Sequence, residues 1–384
     1  MHKSAVIIFL FLTLNITHAT VWYVHPDSVL NSIQAGLYSC LTSDTVLVAP
    51  GTYYENLFWP NTQGILLKSE FGPDSTIIDG SGSGNVIYVV YFVDTTTVVS
   101  GFTIQNGSSS WGGGIICNFE NSPIITNNVI VTNHADIYGG GIYCEYNAAP
   151  NIIYNTITGN TAGSGAGIAC ADCIFLITIA GNIITNNIAN QDGGGILLWD
   201  CRSVAVTNNT IIGNTANRYG GGVYSHSSSP AIDSCTISNN NGDGVYCSGG
   251  VPVVNYSNIT DNIGCGVRNA DNVWLNAEYN WWGDSTGPYH PDSNPGGLGD
   301  TVSDYVDFIP WLGAPVGVEE EEITSMRTND LTTTIISGSL LLPKDKKCRI
   351  FDITGRVIMP SKMRPGIYFI EIDGEITKKV VKVR

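Results

Sequence analysis

The sequence is short of charge, and above all of basic residues. Only 13% of its 384 residues are charged, and between residues 20 and 325 the only lysines and arginines are Lys68, Arg202, Arg218 and Arg268. Nucleic-acid binding needs clustered Lys and Arg to neutralise phosphates, so we expect no nucleic-acid partner. Lys- and Glu-rich helical stretches are also missing, while β-branched residues, Asn and Gly dominate the middle of the chain. This composition predicts an all-β protein.

Long apolar runs are absent as well. No stretch reaches the roughly 18 apolar residues that a membrane-spanning helix needs, so we expect no transmembrane helix. The apolar run Ala5–Leu14 is short, follows His2 and Lys3, and ends near the small-residue site Thr17–Ala19. This order is typical of a signal peptide. We therefore predict a signal peptide over residues 1–19 and a protein that leaves the cytoplasm.

Charge divides the chain into two parts. Residues 1–325 hold 27 Asp or Glu and 5 Lys or Arg, whereas residues 326–384 hold 6 and 12. Four consecutive glutamates lie near the boundary and are typical of a solvated linker. We predict a main body over residues 20–312, an acidic linker over 313–330 and a C-terminal domain over 331–384.

A repeat fills the middle of the chain. Sets of glycines recur, each followed by Ile or Val, and their last members are Gly114, Gly141, Gly167, Gly195, Gly222, Gly244 and Gly266. A second marker keeps phase with them, in the pairs Asn128/Asn133, Asn155/Asn160, Asn182/Asn187 and Asn209/Asn214, with an Ile inside each pair. Each period of 22–28 residues contains three short strand signals separated by turn residues. The repeat predicts a coiled parallel sheet with neighbouring coils about 4.8 Å apart.

These coils resemble the right-handed β-helix repeats of the pectate-lyase-like superfamily and of polymorphic outer-membrane proteins. The resemblance covers about residues 45–310. Asp44–Asn56 is similar to the opening coil of secreted β-helix proteins, and Asn280–Gly283 to their closing segment. The resemblance implies a right-handed parallel β-helix with three short strands per coil.

The ends of a solenoid expose strand edges and core, so they need caps. At the front, we expect Asp27 or Ser28 to cap a short helix that packs Leu30, Ile33 and Leu37 on the first coil. At the back, the expected lid is the aromatic group Trp281, Trp282 and Phe308–Leu312.

The C-terminal segment resembles the type A sorting domain of type IX secretion. The similarity rests on Ile350–Val357, Pro365–Phe369 and the basic end Lys378–Arg384. It implies a small β-sandwich that the outer-membrane secretion machinery recognises and that is commonly removed during surface attachment. A small β accessory domain of another kind is the alternative. We expect an extracellular or outer-membrane surface location.

Cysteines recur in register with the coils. Cys117, Cys144 and Cys170 follow the last glycine of their sets at the same distance, and Cys173 and Cys201 share another position in adjacent coils. Coil spacing lies within disulfide reach, and exported proteins meet oxidising conditions. We predict a Cys173–Cys201 disulfide, with buried apolar thiols as the alternative. The spacings lack a Cys-x-x-Cys or His pair, so we predict no metal site on them.

Strand alternation turns the second and fourth positions after each glycine set outward. Aromatic rings spaced by one coil can stack on sugar rings, and polar neighbours can orient hydroxyl groups. The ligand-binding candidates are Tyr143, Glu145, Trp199, Tyr224 and Tyr246. An ordinary strand surface rich in β-formers produces the same pattern. The partners we expect are an extracellular polysaccharide or surface glycan and the type IX secretion machinery.

A catalytic site is harder to find in the sequence. Lyases of the resembled superfamily use a basic residue, often with Ca²⁺ held by carboxylates, and its hydrolases use grouped Asp residues. The chain has no Arg-x-Pro-x-x-Arg, Asp-Asp or Gly-His-Gly cluster, which leaves Asp172, Asp200, Arg202 and His226 as candidates. Two carboxylates at coil spacing could hold Ca²⁺, the one cofactor considered, or could be solvated turn residues. We expect a non-catalytic adhesin or polysaccharide-binding protein, with a polysaccharide lyase or glycoside hydrolase as the alternative.

Overall fold

The computed structural model describes residues 19–90, 93–316, 332–336, 348–352, 357–360, 366–372 and 375–382. The chain divides into two compact units, Met1–Val318 and Glu319–Arg384, and their boundary falls inside the predicted linker. Residues 1–18 of the predicted signal peptide and the four glutamates of the linker lie outside the described residues. Within the described ranges, no helix is long and apolar enough to cross a membrane.

The first unit is a right-handed parallel β-helix, which confirms the predicted fold. Its coils stack three long sheets, here named A, B and C, in which equivalent strands of successive coils pair in parallel. Sheet A contains Val21–Val24, Thr45–Val48, Leu66–Ser69, Val98–Ser100, Ile124–Thr126, Asn151–Ile153, Ile177–Ala180, Val204–Thr207, Ala231–Asp233, Val253–Asn255, Leu275–Asn276 and Val306–Asp307. Sheet B contains Gly51–Tyr53, Thr76–Asp79, Thr103–Gln105, Val129–Val131, Thr156–Thr158, Ile183–Thr185, Thr210–Ile212, Thr236–Ser238 and Asn258–Thr260. Sheet C contains Leu57–Phe58, Ile87–Val89, Ile115–Asn118, Ile142–Glu145, Ile168–Ala171, Ile196–Trp199, Val223–His226, Val245–Ser248 and Val267–Asn269.

Five coils carry a fourth strand that the sequence pattern does not predict. These strands form sheet D, between B and C in each coil: Ser108–Trp111, His134–Tyr138, Thr161–Ser164, Ile188–Ala189 and Thr215–Ala216. Small buried side chains such as Ala135 and Ala162 let sheet D lie close to the glycine sets. A Cβ added at Gly140 would lie 2.4 Å from the carbonyl oxygen of Thr161. The glycine sets are therefore needed where sheet D approaches the start of sheet C.

Stacked isoleucines and two columns of asparagine fill the interior. Ile130, Ile157 and Ile184 are fully buried and pair in register on sheet B. The Oδ1 of Asn182 accepts hydrogen bonds from the backbone N–H of Asn155, at 2.9 Å, and from its Nδ2, at 3.1 Å. The same bonds recur from coil to coil, so each buried amide ties two coils together.

Both ends of the solenoid are capped, although the front cap starts later than expected. The helix Ile33–Ser39 has Ser32 as its N-cap, and the Glu55 carboxylate accepts from the first backbone N–H groups of that helix. Asp27 and Ser28 therefore do not cap it, because Ser32 and Glu55 satisfy those donors. At the back, Trp282 and Phe308 are buried, next to the short strands Pro288–Tyr289 and Gly299–Thr301.

The second unit contains one five-stranded sheet within its described residues. Its spatial order is Thr332–Ile336, Glu375–Lys382, Gly366–Ile372, Cys348–Asp352 and Val357–Ile358. The first pair is parallel and the others are antiparallel. One face of this sheet buries Ile350, Tyr368, Ile370 and Ile372. A second layer of the predicted sandwich does not occur among the residues that the structure describes here.

Candidate functional site

The outer face of sheet C is covered by its own hydrophobic cluster. Side chains at the second position of successive strands stack in register along the solenoid axis, and they are Ile116, Tyr143, Ala169, Leu197, Tyr224 and Tyr246. The first five are buried and Tyr246 is half-buried. We call this row, together with the fourth-position side chains beside it, the sheet C strip.

Tyr143 and Tyr224 are buried, which corrects their expected role as exposed ligand contacts. Only 2% of Tyr143 and 5% of Tyr224 is exposed. In each coil the tyrosine five residues earlier covers them, with ring centroids 6.0 Å apart for Tyr138–Tyr143 and 5.9 Å for Tyr219–Tyr224. Burial raises the pKa of both covered hydroxyls. These two rings support the strip instead of forming its surface.

Three rings of the strip, Trp199, His226 and Tyr246, are accessible together with Tyr219 beside them, and we call these four rings the aromatic platform. Trp199 and His226 lie on adjacent coils with ring centroids 4.1 Å apart. Tyr219 and Tyr246 lie 4.4 Å apart in the same way. Tyr219 is 36% exposed and the other three are half-buried. The platform thus presents ring surface over three successive coils.

Polar groups lie at the edge of the platform. The Nδ1 of His226 is 2.8 Å from the hydroxyl oxygen of Ser248 and 3.5 Å from that of Tyr224. These contacts fix the imidazole ring and place hydroxyl groups beside His226. The arrangement suits a ligand that offers both an apolar face and hydroxyl groups.

The two arginines nearest the platform are paired with carboxylates. Arg218 forms a two-point ion pair with the buried Asp192, which raises the pKa of the guanidinium, and it also lies 5.2 Å from the ring of Tyr219. The Nε of Arg268 donates to Asp243 at 3.0 Å. The sequence pattern did not lead us to predict Tyr219 as part of the site. The signal was available, because an aromatic precedes Tyr143 and Tyr224 by the same five residues.

Glu145 lies at the opposite end of the strip from Tyr246. It accepts hydrogen bonds from the hydroxyls of Tyr143 and Tyr146, yet burial outweighs them and raises its pKa. Its direct partner on the neighbouring strand is Asn118, which is 7% exposed and whose Oδ1 has no hydrogen-bond partner. A carboxyl group and a free amide oxygen are therefore adjacent here. Glu145 is half-buried, so it remains a ligand-binding candidate.

The four catalytic candidates do not form a cluster. Asp172 and Asp200 are exposed corner residues with φ of 52° and 51°, and Arg202 is exposed beside them. No side-chain hydrogen bond or ion pair joins any two of Asp172, Asp200, Arg202 and His226, all of which the structure describes. Among the described residues, no group of three His, Cys, Asp or Glu side chains is placed to hold a metal ion. The two aspartates fit the alternative of turn residues.

The cysteines are buried in the solenoid. Cys117, Cys144 and Cys170 pair in register on the inner face of sheet C. Cys173 and Cys201 are also fully buried and share a thiol hydrogen bond, which together with burial raises the pKa of Cys173. Both are thiols in the structure. The Cys173–Cys201 disulfide therefore stays a prediction.

The comparison with protein families adds one finding. Residues 164–280 match the family model described as right handed beta helix region. The match includes all four platform residues and ends before the closing cap, and Glu145 lies outside it. It covers less than half of the chain and agrees with the observed coils. A comparison with curated proteins finds no match.

Proposed function

We propose that this chain is an exported cell-surface β-helix protein that binds an extracellular polysaccharide on the aromatic platform. The observation that carries the proposal is the pair of ring contacts, Trp199 with His226 and Tyr219 with Tyr246, on one outer face of the solenoid. Partly exposed rings in a row offer stacking surfaces to successive sugar units, with the hydroxyl group of Ser248 beside them.

The charge around the platform favours a neutral polysaccharide. Arg218 and Arg268 are each paired with an aspartate, so their positive charge is already compensated. Glu145 and Asp200 add acidic groups along the same side of the solenoid. Carboxylates repel a uronate chain, whereas stacking on rings does not depend on charge.

Export and surface attachment rest on the two chain ends. The N-terminal residues 1–19 have the order of a signal peptide, and residues 331–384 resemble a type IX sorting domain. The five-stranded sheet that the structure describes within 331–384 has its own buried face and is compatible with a separately recognised domain. We propose that the secretion machinery is a partner of this C-terminal unit.

A glycoside hydrolase is the second candidate function, and Glu145 is the observation that favours it. Burial raises the pKa of this carboxyl, and Asp172 nearby raises it further. A general acid needs a raised pKa and a second carboxylate in reach. Turnover of a glycan that Glu145→Gln abolishes would identify this activity.

The test is retention of the mature protein on a panel of insoluble neutral and uronate polysaccharides. We expect retention by a neutral polymer, and about tenfold weaker binding by Trp199→Ala because the exposed stacking face is lost. Trp274→Ala is the matched control, since Trp274 is 64% exposed and lies outside the sheet C strip. Equal losses in both variants, or retention by no polymer, would contradict the proposal. Reducing ends and unsaturated products measured in the same samples report hydrolase or lyase turnover.

A further inference from the structure

A shallow polar cavity of about 440 Å³, largely open to solvent, lies at the first edge of sheet D. The coil before Ser108–Trp111 has the loop 80–86 where later coils have a sheet D strand, so a step forms at this point. The cavity is lined by Ser81, Asn106, Gly107, Ser108, Thr132 and His134. None of these residues belongs to the sheet C strip.

A buried carboxylate orients the amide group of this cavity. Asp79 is 6% exposed, and its Oδ2 accepts from the Nδ2 of Asn106 at 2.8 Å and from the Nε2 of Gln105 at 2.8 Å. Its Oδ1 accepts from the backbone N–H of Ser81 at 2.8 Å. The amide nitrogen of Asn106 is therefore committed to Asp79. Its oxygen lies 3.2 Å from the Thr132 hydroxyl oxygen, which has a shorter contact with the Val131 carbonyl at 2.7 Å.

The imidazole of His134 is fixed in a similar way. Its Nδ1 lies 2.9 Å from the hydroxyl oxygen of Thr161, and its Nε2 lies 3.3 Å from a carboxylate oxygen of Asp136. The cavity thus has two oriented polar side chains and three hydroxyl groups, from Ser81, Ser108 and Thr132. Side chains held by a second layer of contacts are typical of preformed binding sites.

Thr132 adopts a backbone conformation that a β-branched residue rarely tolerates. Its φ is 55°, in the left-handed region. The corresponding corner of the other coils is occupied by residues that accept this conformation more easily, namely Asn106, Gly159, Asn186, Gly213, Asn239 and Asp261. The strained threonine therefore occurs at the coil where its side chain lines the cavity. Such outliers concentrate at functional sites.

The chemistry of the lining excludes an anion and favours a neutral ligand. The backbone N–H groups of Gly82, Gly107 and Ser108 already donate to protein oxygens. The buried Asp79 lies behind the lining and the exposed Asp136 lies beside His134, and both would repel a negative charge. Hydroxyl groups both donate and accept, as a ligand with many hydroxyls requires.

We propose that this cavity is a second carbohydrate site, which holds one or two neutral sugar rings through the hydroxyl groups of Ser81, Ser108 and Thr132, against the side chains of Asn106 and His134. Its volume lies in the range of small-molecule sites. The site does not rest on the aromatic platform, since it lies on other sheets and uses hydrogen bonds instead of ring stacking.

The experiment is calorimetric titration of the mature protein with glucose, galactose, mannose, N-acetylglucosamine, short neutral oligosaccharides and glucuronate. We expect at least one neutral sugar to bind, and Thr132→Asn and His134→Ala each to weaken it about tenfold. Thr132→Asn also relieves the strained corner, so its thermal midpoint should rise. If a monosaccharide binds, the ligand of this site is a free sugar or the end of a polysaccharide chain. If only oligosaccharides bind, the ligand is the interior of a chain.

Two controls make the outcome specific. Asn186→Thr places threonine at the equivalent corner of a distant coil, so it should lower the thermal midpoint and leave sugar binding unchanged. In a protein that already carries Trp199→Ala, Thr132→Asn should still weaken the remaining sugar binding about tenfold, which separates this site from the platform. The proposal is overturned if no neutral sugar binds, if glucuronate binds better, or if Thr132→Asn and His134→Ala bind like the unaltered protein.

Discussion

Individual asparagine side chains carry much of the link between coils. Asn182 is 1% exposed; its Oδ1 accepts two hydrogen bonds from Asn155, and its Nδ2 donates to the carbonyl of Ile152 at 2.8 Å. In a solenoid these bonds replace the long-range contacts that hold a globular core together. Removal of one amide leaves buried donors and a buried carbonyl short of partners.

We predict that Asn182→Ala lowers the free energy of unfolding by about 3 kcal/mol, because buried polar groups lose their partners. Asn190→Ala is the matched control, since Asn190 is an exposed asparagine of the same coil and its loss should cost little. Urea unfolding of both variants measures the difference. Similar midpoints for the two variants would show that the buried amides do not stabilise the coils.

Asp300 ends the second asparagine column at the back of the solenoid. Its carboxylate accepts from the backbone N–H and the Nδ2 of Asn262, at 3.1 and 2.9 Å. Burial nevertheless raises its pKa from 3.8 to about 6. A raised carboxyl pKa means that the folded protein resists ionisation of this group, so its contribution to stability is lost as the pH rises from about 4 through 6.

Accordingly, Asp300 should cost the unaltered protein about 2 kcal/mol of stability between pH 4 and pH 7. The Asp300→Asn variant should not show this loss. Urea unfolding at several pH values, compared between the two proteins, isolates this contribution from that of other carboxyl groups. Asp292→Asn, an exposed carboxylate of the same cap, should keep the original pH profile. An unchanged profile in Asp300→Asn would exclude Asp300 as the cause.

At the scale of elements, the glycine sets join sheet D to sheet C. A Cβ at Gly141 would lie 2.5 Å from the carbonyl oxygen of Gly167, whereas Gly159, with φ of 64°, has no atom within 4 Å of such a Cβ. The two positions therefore require glycine for different reasons. Gly141 allows close approach of the backbone, and Gly159 allows a left-handed turn.

From this difference we predict that Gly141→Ala lowers stability by about 3 kcal/mol, because the backbone must shift to avoid the clash. Gly159→Asn should change it by less than about 0.5 kcal/mol, since Asn tolerates a positive φ. Thermal and urea unfolding compare the two variants. A larger loss in Gly159→Asn would reverse this assignment of roles.

The sequence predicts three of the four sheets for a physical reason. Strands such as Thr156–Thr158 alternate in polarity and end at fixed Asn positions, so their period is visible. Sheet D strands are as short as the two residues Ile188–Ala189, and the inward side chains of four of the five strands are alanines, which leave no hydrophobic period. Because sheet D was not predicted, the burial of Tyr143 and Tyr224 was not predicted either. The rings that cover them are Tyr138, which belongs to sheet D, and Tyr219, which lies next to it.

On the scale of the whole molecule, the two proposed ligand sites lie on separate faces of the β-helix. The aromatic platform lies on sheet C, and the polar cavity lies between sheets B and D. The period of the sequence could predict the position of Trp199 on the outer face, but not its contact with His226 or the pairing of Arg218, which depend on side-chain packing. Export, the sorting domain and the Cys173–Cys201 disulfide remain predictions from sequence.

The most direct test of the central proposal is a crystal structure of the mature protein with a neutral oligosaccharide of the retained polymer. We predict sugar density stacked on Trp199 and Tyr246, with a hydroxyl group within hydrogen-bond distance of His226 or Ser248. Sugar bound at the polar cavity in addition would agree with a two-site protein. An empty platform in a crystal whose protein retains the polymer in solution would contradict the account.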